Sequence, residues 1–417
     1  MVISGPASRL CRCVSTHVRR HSFASVKLAL VTETFPPEIN GVAMTLGQLA
    51  SGLALRGVSV TVHRPRQPSD RASAPPGPKA ASPFAERLHP GTPIPGYPLL
   101  RLGLPARGAL LRAWRADRPD VVHVATEGPL GWSALSAADS LGIPLASSFH
   151  TNFHSYSKHY GFAFLTRPAL AYLRWFHNRT RITLSPTGEL NRELERDGFR
   201  GMRLLSRGVD TDLFTPAKRD LALRAAWGAG PDDPVFIHVS RLAAEKNYEL
   251  LFRAWSRIRE TQPRARFVVA SDGPLRARLS RAHPWTVFTG FLEREDLARH
   301  YASADVFIYP SLTETFGNVV TEAMASGLAV SAYNYAAAAR YLRHGENGLL
   351  APCDDEAAFM ANALRLAEPD PRARRTLGLV ARATAENIPW SRVIDGFLTD
   401  LREVSGLDRE STEAARA

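Results

Sequence analysis

Two cations and two carboxylates in the second half of the chain have the types and spacing to handle a phosphorylated, hydroxyl-rich molecule. Arg241 and Lys246 follow the apolar run from Val235 to Val239. Glu314 and Glu322 bracket Gly317 and Asn318, which follow a second apolar run. A pair of cations matches a diphosphate in charge, and carboxylates accept hydrogen bonds from sugar or ribose hydroxyls. A helix starting at Gly317 and Asn318 adds free N–H groups and a positive dipole end, which suit a phosphate. Each pair by itself also fits a solvated face. Two strand-end anion sites in one domain point instead to one diphosphate ligand shared between them.

The elements that must hold these residues alternate between strand and helix. Asp305 to Pro310 reads as a buried strand stopped by proline, and Ser311 to Phe316 as a loop. Val319 to Ala325 is rich in helix formers, with Gly327 placed to end the helix. A loop leaving the carboxyl end of a strand is where a doubly wound sheet binds ligands. The same alternation runs through Val235 to Val239, Tyr248 to Arg259, Phe267 to Ala270, Leu275 to Arg281, Trp285 to Thr289 and Glu295 to Tyr301.

The first half has its own βαβ unit: a strand from Val26 to Val31, a helix from Met44 to Leu55 and a strand from Val58 to Val62. Its single Gly41 departs from the G-x-G-x-x-G fingerprint, so no dinucleotide is expected, yet a glycine at a helix start lets a ligand approach the backbone. The Pro-, Ala- and Ser-rich stretch from Gln67 to Pro98 reads as a loop, and buried strands follow at Arg118 to Val124 and Ile143 to Phe149. The latter runs into His150, placed for polar contact with a substrate. His150, His154 and His159 have no carboxylate or cysteine among them, so no metal site is expected.

From Phe153 to Arg181 aromatic residues interleave with Lys and Arg: Tyr160, Phe162, Phe164, Tyr172, Trp175 and Phe176 with Lys158, Arg167, Arg174, Arg179 and Arg181. Two readings stay open, a core-facing helix with snorkelling cations and a membrane-surface or lipid-acceptor element. A strand from Ile182 to Ser185 and a helix from Gly188 to Asp197 close this half. Arg203 to Pro216 reads as a strand and an extended crossing to the second domain, and Trp390 to Glu403 as a last amphipathic helix.

At 417 residues two domains are expected, and 45% hydrophobic with 22% charged residues fits a globular protein. No apolar run reaches the ~18 residues of a membrane span. Cys11, Cys13 and Cys353 offer neither a disulfide framework nor a closed metal site, which points to a reducing compartment. The net charge of +12 favours anionic partners: nucleotides, phospholipid surfaces or nucleic acid. No nucleic-acid module matches the sequence, so nucleic acid is set aside. Residues 1–25 are basic, Ser-rich and acid-poor, the composition of a transit leader, a tail or an over-early start.

Taken together, these motifs resemble the retaining glycosyltransferases of family 4, with the GT-B fold. The carriers are Pro36-Pro37-x-x-Asn40-Gly41-Val42, Ser148-Phe149-His150-Thr151, Gly208-Val209-Asp210-Thr211-x-Leu213-Phe214-x-Pro216 and Arg241-Leu242-x-x-Glu245-Lys246. Asp272-Gly273-Pro274, Phe288-x-Gly290 and the pair Glu314 and Glu322 add to them. Within the family, Thr32 to Glu38, His150 to His154 and Glu314 to Asn318 are similar to bacterial GDP-mannose-dependent α-mannosyltransferases that act on lipid acceptors. The resemblance implies two Rossmann-like doubly wound domains facing a cleft, at 26–205 for the acceptor and 206–388 for the nucleotide sugar. A helix and tail at 389–417 would return to the first domain. It implies that Arg241 and Lys246 bind the diphosphate, Glu314 the transferred sugar and Glu322 the ribose. Phe316, Gly317 and Asn318 would lend N–H groups, His150 would lie near the anomeric centre, and Gly41 would approach the phosphates. No cofactor is implied. The place would be cytoplasmic, with peripheral contact to anionic membrane. Ser240 and Ser271 stand where the family often has glycine. The rival functions are a UDP-sugar epimerase on the same scaffold and a non-catalytic nucleotide-sugar or membrane-surface binding protein. The binding protein would be expected to lack one of the four charged residues.

Overall fold

The computed structural model describes residues 26–38, 40–70, 82–94, 97–150 and 166–407. The basic leader, His154, His159 and the aromatic and basic residues from Phe153 to Phe164 lie outside them. In chain order the strands are β1 (Lys27–Val31), β2 (Ser59–Pro65), β3 (Ala85–His89), β4 (Gly91–Ile94), β5 (Tyr97–Gly103), β6 (Val121–Val124), β7 (Leu145–Ser148), β8 (Ile182–Ser185) and β9 (Met202–Leu204). They continue as β10 (Val235–Val239), β11 (Arg266–Ala270), β12 (Val287–Gly290), β13 (Val306–Tyr309), β14 (Ala329–Tyr333) and β15 (Leu349–Ala351).

All of these strands but β4 and β5 form two parallel sheets, ordered β3-β2-β1-β6-β7-β8-β9 and β12-β11-β10-β13-β14-β15. The central strands β6, β7, β8, β10, β13 and β14 are buried throughout, because helices cover both faces and leave no room for a polar side. Alternate side chains divide between two cores. Val235, Ile237 and Val239 pack on one face of the second sheet, and Phe236 on the other. The doubly wound, two-sheet architecture expected from the sequence is therefore present.

Two local expectations need correction. The helix expected from Met44 begins at Gly41 and runs Gly41–Ala54. Asn40 caps it, its side-chain oxygen accepting from Val42 N at 3.1 Å and Ala43 N at 2.8 Å. That cap offsets the poor helix propensity of Gly41, which had hidden the first turn. The stretch from Gln67 to Pro98, expected as loop, contains β3, β4 and the start of β5. β4 and β5 pair as an antiparallel hairpin beside the first sheet. Proline and alanine masked its alternation.

The chain passes between the two sheets twice, and the passages touch. Val209 N donates to Ile388 O at 2.9 Å. A Cβ on Gly208 would lie 2.5 Å from Trp390 Cα, so no side chain fits there. The helix Trp390–Ser405 then returns to the first sheet, where Ile394, Phe397, Leu398, Leu401 and Val404 join Leu28, Leu46 and Leu53 in one core. Arg56 bonds Asp395 at 2.5 Å, and Arg203 reaches Asp400 at 2.8 Å and Glu403 at 2.6 Å.

Several histidines are buried in the neutral form. Desolvation takes His63 and His123 down to about 3 and His238 to about 4. Their folded values lie below the unfolded 6.5, so the unfolded chain binds more protons from about pH 6.5 down to about 4. Stability is therefore expected to fall as the pH drops below 6.5, by on the order of 1 kcal/mol per histidine per pH unit. Thermal melts between pH 5 and 8 check this. A melting temperature that stays level or rises on acidification would contradict the neutral cores.

Candidate active site

The site is built at the carboxyl ends of β10, β11 and β13. β13 ends at Tyr309, and the loop through Ser311 to Phe316 leads into the helix Asn318–Ala325. Gly317 caps it at φ +88°, a conformation that costs glycine nothing and would strain a side chain. The far end of this helix is held by Arg382, whose Nη1 donates to the carbonyls of Ala325 at 2.6 Å, Phe214 at 2.7 Å and Thr211 at 3.1 Å. A cation on the last carbonyls also complements the helix dipole.

Glu314 is the hub of the loop. Its Oε1 accepts from Lys246 Nζ, from Tyr309 OH at 2.5 Å and from Ser311 Oγ at 2.7 Å. Among the described residues no donor reaches its Oε2, which lies 3.8 Å from where a Cβ of Gly317 would stand. One oxygen is thus anchored and the other open beside the helix start. Burial and the Glu314 charge push the Tyr309 hydroxyl well above 10, which keeps it a donor.

Lys246 comes from the turn after β10. Arg241, on the same turn, pairs with the buried Glu245 at 2.5 Å, and Thr313 Oγ1 donates to Glu245 O at 3.2 Å. The two loops are therefore stitched together beneath the cations. The Arg241 side chain keeps 40% of its surface exposed. Asp272-Gly273-Pro274 packs on the same turn: Leu242 N donates to Asp272 O at 3.0 Å, and Leu275 N to Leu242 O at 3.0 Å. A Cβ at Gly273 would sit 2.6 Å from Leu242 O, which explains why this glycine accompanies the Arg241 motif.

The two serines at glycine-favouring positions behave differently. The Ser240 hydroxyl turns inward, bonded to His238 Nε2 at 2.8 Å and Tyr248 OH at 3.0 Å, so it does not narrow the ligand's approach. Ser271 carries the positive φ of 155° that glycine adopts more easily.

Glu322 lies deeper, one turn inside the helix. Tyr301 OH donates to its Oε2 at 3.4 Å, and the Arg294 charge acts on it from nearby. Desolvation nevertheless raises its carboxyl from 4.5 to about 7. Phe316 is buried at 4% exposure, its carbonyl taken by Ala337 N at 2.8 Å. Its carbonyl therefore braces the loop rather than facing the cleft.

The first domain presents Gly41 and His150. A Cβ on Gly41 would be 3.8 Å from Asn318 Nδ2, so the two helix starts face each other across the cleft. His150, just past β7, is buried, and its Nδ1 lies 2.8 Å from Arg207 Nη2. Arginine only donates, so Nδ1 must accept and the proton resides on Nε2. That Nε2 is buried and has no partner among the described residues. Burial and the Arg207 charge hold the imidazole neutral.

The structure thus joins Lys246 with Glu314, Gly317 with Glu314, and Gly41 with Asn318. Arg241, Glu322 and His150 each have their own local partner instead. Tyr309, Ser311, Tyr301 and Arg207 complete the site and were not singled out from sequence, and Glu245 was quoted only as part of the Arg241 motif, without a role. A tyrosine closing a strand five residues before a loop glutamate was the available signal for Tyr309.

Glu33, in the first-domain motif, has a structural task. Its buried carboxylate accepts from Gly103 N and from Leu130 N at 2.9 Å, tying β5 and the helix Pro129–Leu141 to the end of β1.

Known proteins match this arrangement along most of the chain. Residues 39–213 match the model described as Glycosyltransferase Family 4, and residues 233–369 the one described as Glycosyl transferases group 1. A GDP-mannose-dependent alpha-mannosyltransferase of Mycobacterium tuberculosis is 33% identical over 94% of this chain and 99% of its own. Sulfoquinovosyl transferase SQD2 of Arabidopsis thaliana is 32% identical over 72% of this chain and 59% of its own. Among solved structures, Anabaena Alr3699/HepE in complex with UDP and glucose superposes with a TM-score of 0.72 at 18% identity, over 91% of this chain and all of that one. Two parallel-sheet domains with a cation-and-glutamate cluster at the strand ends, and relatives of this identity and coverage, lead to one conclusion: the chain belongs to glycosyltransferase family 4 and is a glycosyltransferase of the GT-B fold.

Proposed function

We propose that the chain moves a mannosyl group from GDP-mannose to a hydroxyl of a lipid or glycan acceptor, with retention at the anomeric carbon and without a cofactor or resident metal. The observation that carries this is the Glu314 carboxylate, anchored on Oε1 by Lys246, Tyr309 and Ser311 and open on Oε2 beside Gly317. The mannosyltransferase named for the M. tuberculosis relative supports the choice of donor. Departure of a nucleoside diphosphate requires its charge to be neutralised. Arg241, Lys246 and the start of the Asn318–Ala325 helix supply that here. The acceptor oxygen bonds to the anomeric carbon on the face from which the phosphate leaves, and the departing phosphate takes the acceptor's proton. The His150 Nε2 proton is available to a sugar oxygen, and Glu322 to the ribose hydroxyls.

GDP should raise the melting temperature of the protein, and equally so in excess EDTA. Loss of the shift on chelation would count against the metal-free reading.

We also place the acceptor side against an anionic membrane surface. No helix among the described residues is long and apolar enough to cross a membrane. The helix Thr166–His177 buries Leu173 and Phe176 while leaving Tyr172 39% and Trp175 45% exposed, with Arg179 lying over the Trp175 ring at 5.3 Å. An aromatic and basic outer face suits an interface. Vesicles of anionic lipid should retain the protein and release it at high salt. Equal retention by neutral vesicles, or none by either, argues for a helix that only packs.

A further inference from the structure

Arg207 lies on the first passage between the two sheets at 4% exposure, and among the described residues no carboxylate pairs with it. Its Nη1 donates to Leu205 O at 2.9 Å and to Ser206 O at 3.4 Å, and its Nη2 to His150 Nδ1 at 2.8 Å. Burial takes the guanidinium down to about 10, so it stays charged at neutral pH. A buried cation without a counterion is costly, and such groups gather at functional sites.

The passage that carries Arg207 is held from both sides. Ser206 Oγ lies 2.8 Å from Tyr341 OH, and the Tyr341 ring packs edge-on against Phe316 with centroids 6.2 Å apart. Phe316 closes the loop that carries Glu314. On the other side, Gly208 packs too tightly against Trp390 for any Cβ, and Val209 N bonds Ile388 O. Arg207 thereby ties His150, at the end of β7 in the first domain, to the donor loop of the second.

Few other charges act on the imidazole. Besides Arg207, His123 faces it from β6 and His177 from the helix Thr166–His177. His123 is neutral, its Nε2 bonded to Ser148 Oγ at 2.8 Å, and His177 Nε2 lies 3.0 Å from Glu127 Oε1. Among the described residues only Arg207 bonds the His150 ring.

We propose that Arg207 is a positioning residue for sugar transfer, which fixes the His150 proton on Nε2 and keeps a second proton off Nδ1. The proposal rests on the function above, which sets His150 beside the sugar, and deepens it by naming what prepares the ring. The bond made at one nitrogen of an imidazole sets the tautomer at the other. With Nδ1 facing a donor, Nε2 carries the proton and can offer it to a sugar oxygen. Without Arg207 the proton is free to sit on Nδ1, which would turn a lone pair towards the sugar hydroxyls. A ring kept neutral also adds no positive charge beside an anomeric carbon that is gaining its own.

The test compares the full chain with Arg207→Met, Arg207→Lys and His150→Asn. Methionine fills similar space, and replacing a buried charge by an apolar side chain often leaves a fold intact. A long-range proton–nitrogen spectrum of protein carrying isotope-labelled histidine shows which ring nitrogen is protonated, and His150→Asn identifies the His150 signals. Wild type should show His150 with its proton on Nε2 and neutral from pH 8 to pH 5. Arg207→Met should show a mixture of tautomers and take up a second proton at a higher pH, because a repelling charge has gone. Its kcat with GDP-mannose should fall roughly tenfold to a hundredfold with little change in donor KM. Arg207→Lys keeps a donor and a charge, and should restore both the tautomer and most of kcat. An arginine that only supports the fold would lower the melting temperature and leave the tautomer and titration of His150 untouched. The assignment is overturned by that result, by a wild-type proton on Nδ1, or by an unchanged kcat in Arg207→Met. Should Arg207→Met not fold, the wild-type spectrum decides, together with retention of the tautomer in Arg207→Lys. GDP, which lacks the sugar, should bind wild type and folded variants alike. Failure of GDP to bind wild type would sink the donor assignment, while the spectrum would still report on Arg207 and His150.

Discussion

Glu314→Gln is expected to lower kcat by roughly ten- to a thousandfold while changing donor KM little. The amide keeps the shape of the carboxylate and removes its charge. Lys246, Tyr309 and Ser311 would then donate to, or crowd, a neutral group, and the open oxygen would lose its power to stabilise positive charge at the sugar. Charge at the anomeric centre builds only as the phosphate departs, so the loss falls on the transition state more than on binding. Steady-state kinetics with GDP-mannose, after circular dichroism has shown the variant folded, decide the matter. An unchanged kcat with a raised donor KM would make Glu314 a ground-state contact only.

Glu322→Gln should do two things that rarely go together: stabilise the unliganded protein at pH 8 and weaken nucleotide binding. The native carboxyl titrates near 7 in place of 4.5 because it is poorly solvated in the helix. A folded-state value raised above the unfolded one contributes stability that is present below about pH 4.5 and lost as the pH rises through 7. Holding the charge in place at pH 8 therefore costs up to about 3 kcal/mol. Removing the charge should recover most of that, visible as a higher melting temperature at pH 8 and little difference at pH 5. The same change removes an acceptor for ribose hydroxyls, so GDP should bind roughly tenfold more weakly. A variant no more stable than wild type at pH 8 would mean the carboxylate is better solvated than its surroundings indicate. Undiminished GDP affinity would remove Glu322 from the donor site.

How much of this could be read from sequence depended on whether the informative contact was local. The strands β10 and β13, the turn carrying Arg241 and Lys246, and the helix start at Gly317 were legible, since each is written in a short run of adjacent residues. The pairing of Lys246 with Glu314 spans 68 residues and follows only once β10 and β13 are neighbours in the sheet. Arg207 was likewise invisible beside His150, because the two meet across 57 residues at the crossing between sheets. The hairpin of β4 and β5 was missed for another reason. Its prolines are tolerated because it stands beside the main sheet, where fewer ladder bonds are demanded of it. The inward turn of the Ser240 hydroxyl needed the positions of His238 and Tyr248 to be known.

The helix Trp390–Ser405 bears on how the chain comes to be assembled. Its Ile394, Phe397 and Leu401 are core residues of the first sheet, yet they are among the last described residues to leave the ribosome. Until then the groove beside the helix Gly41–Ala54, where Gly52 leaves space filled by Ile394, stays open to water. The earliest domain to be synthesised is therefore among the last to be finished, and the second domain must fold while its predecessor waits. A shortened chain ending before Trp390 would keep its donor-side cluster of Arg241, Lys246, Glu314 and Glu322, but with an uncovered apolar groove on its partner domain. Such a fragment should tend to associate through that groove, and adding back the missing helix as a peptide should return it to a monodisperse form.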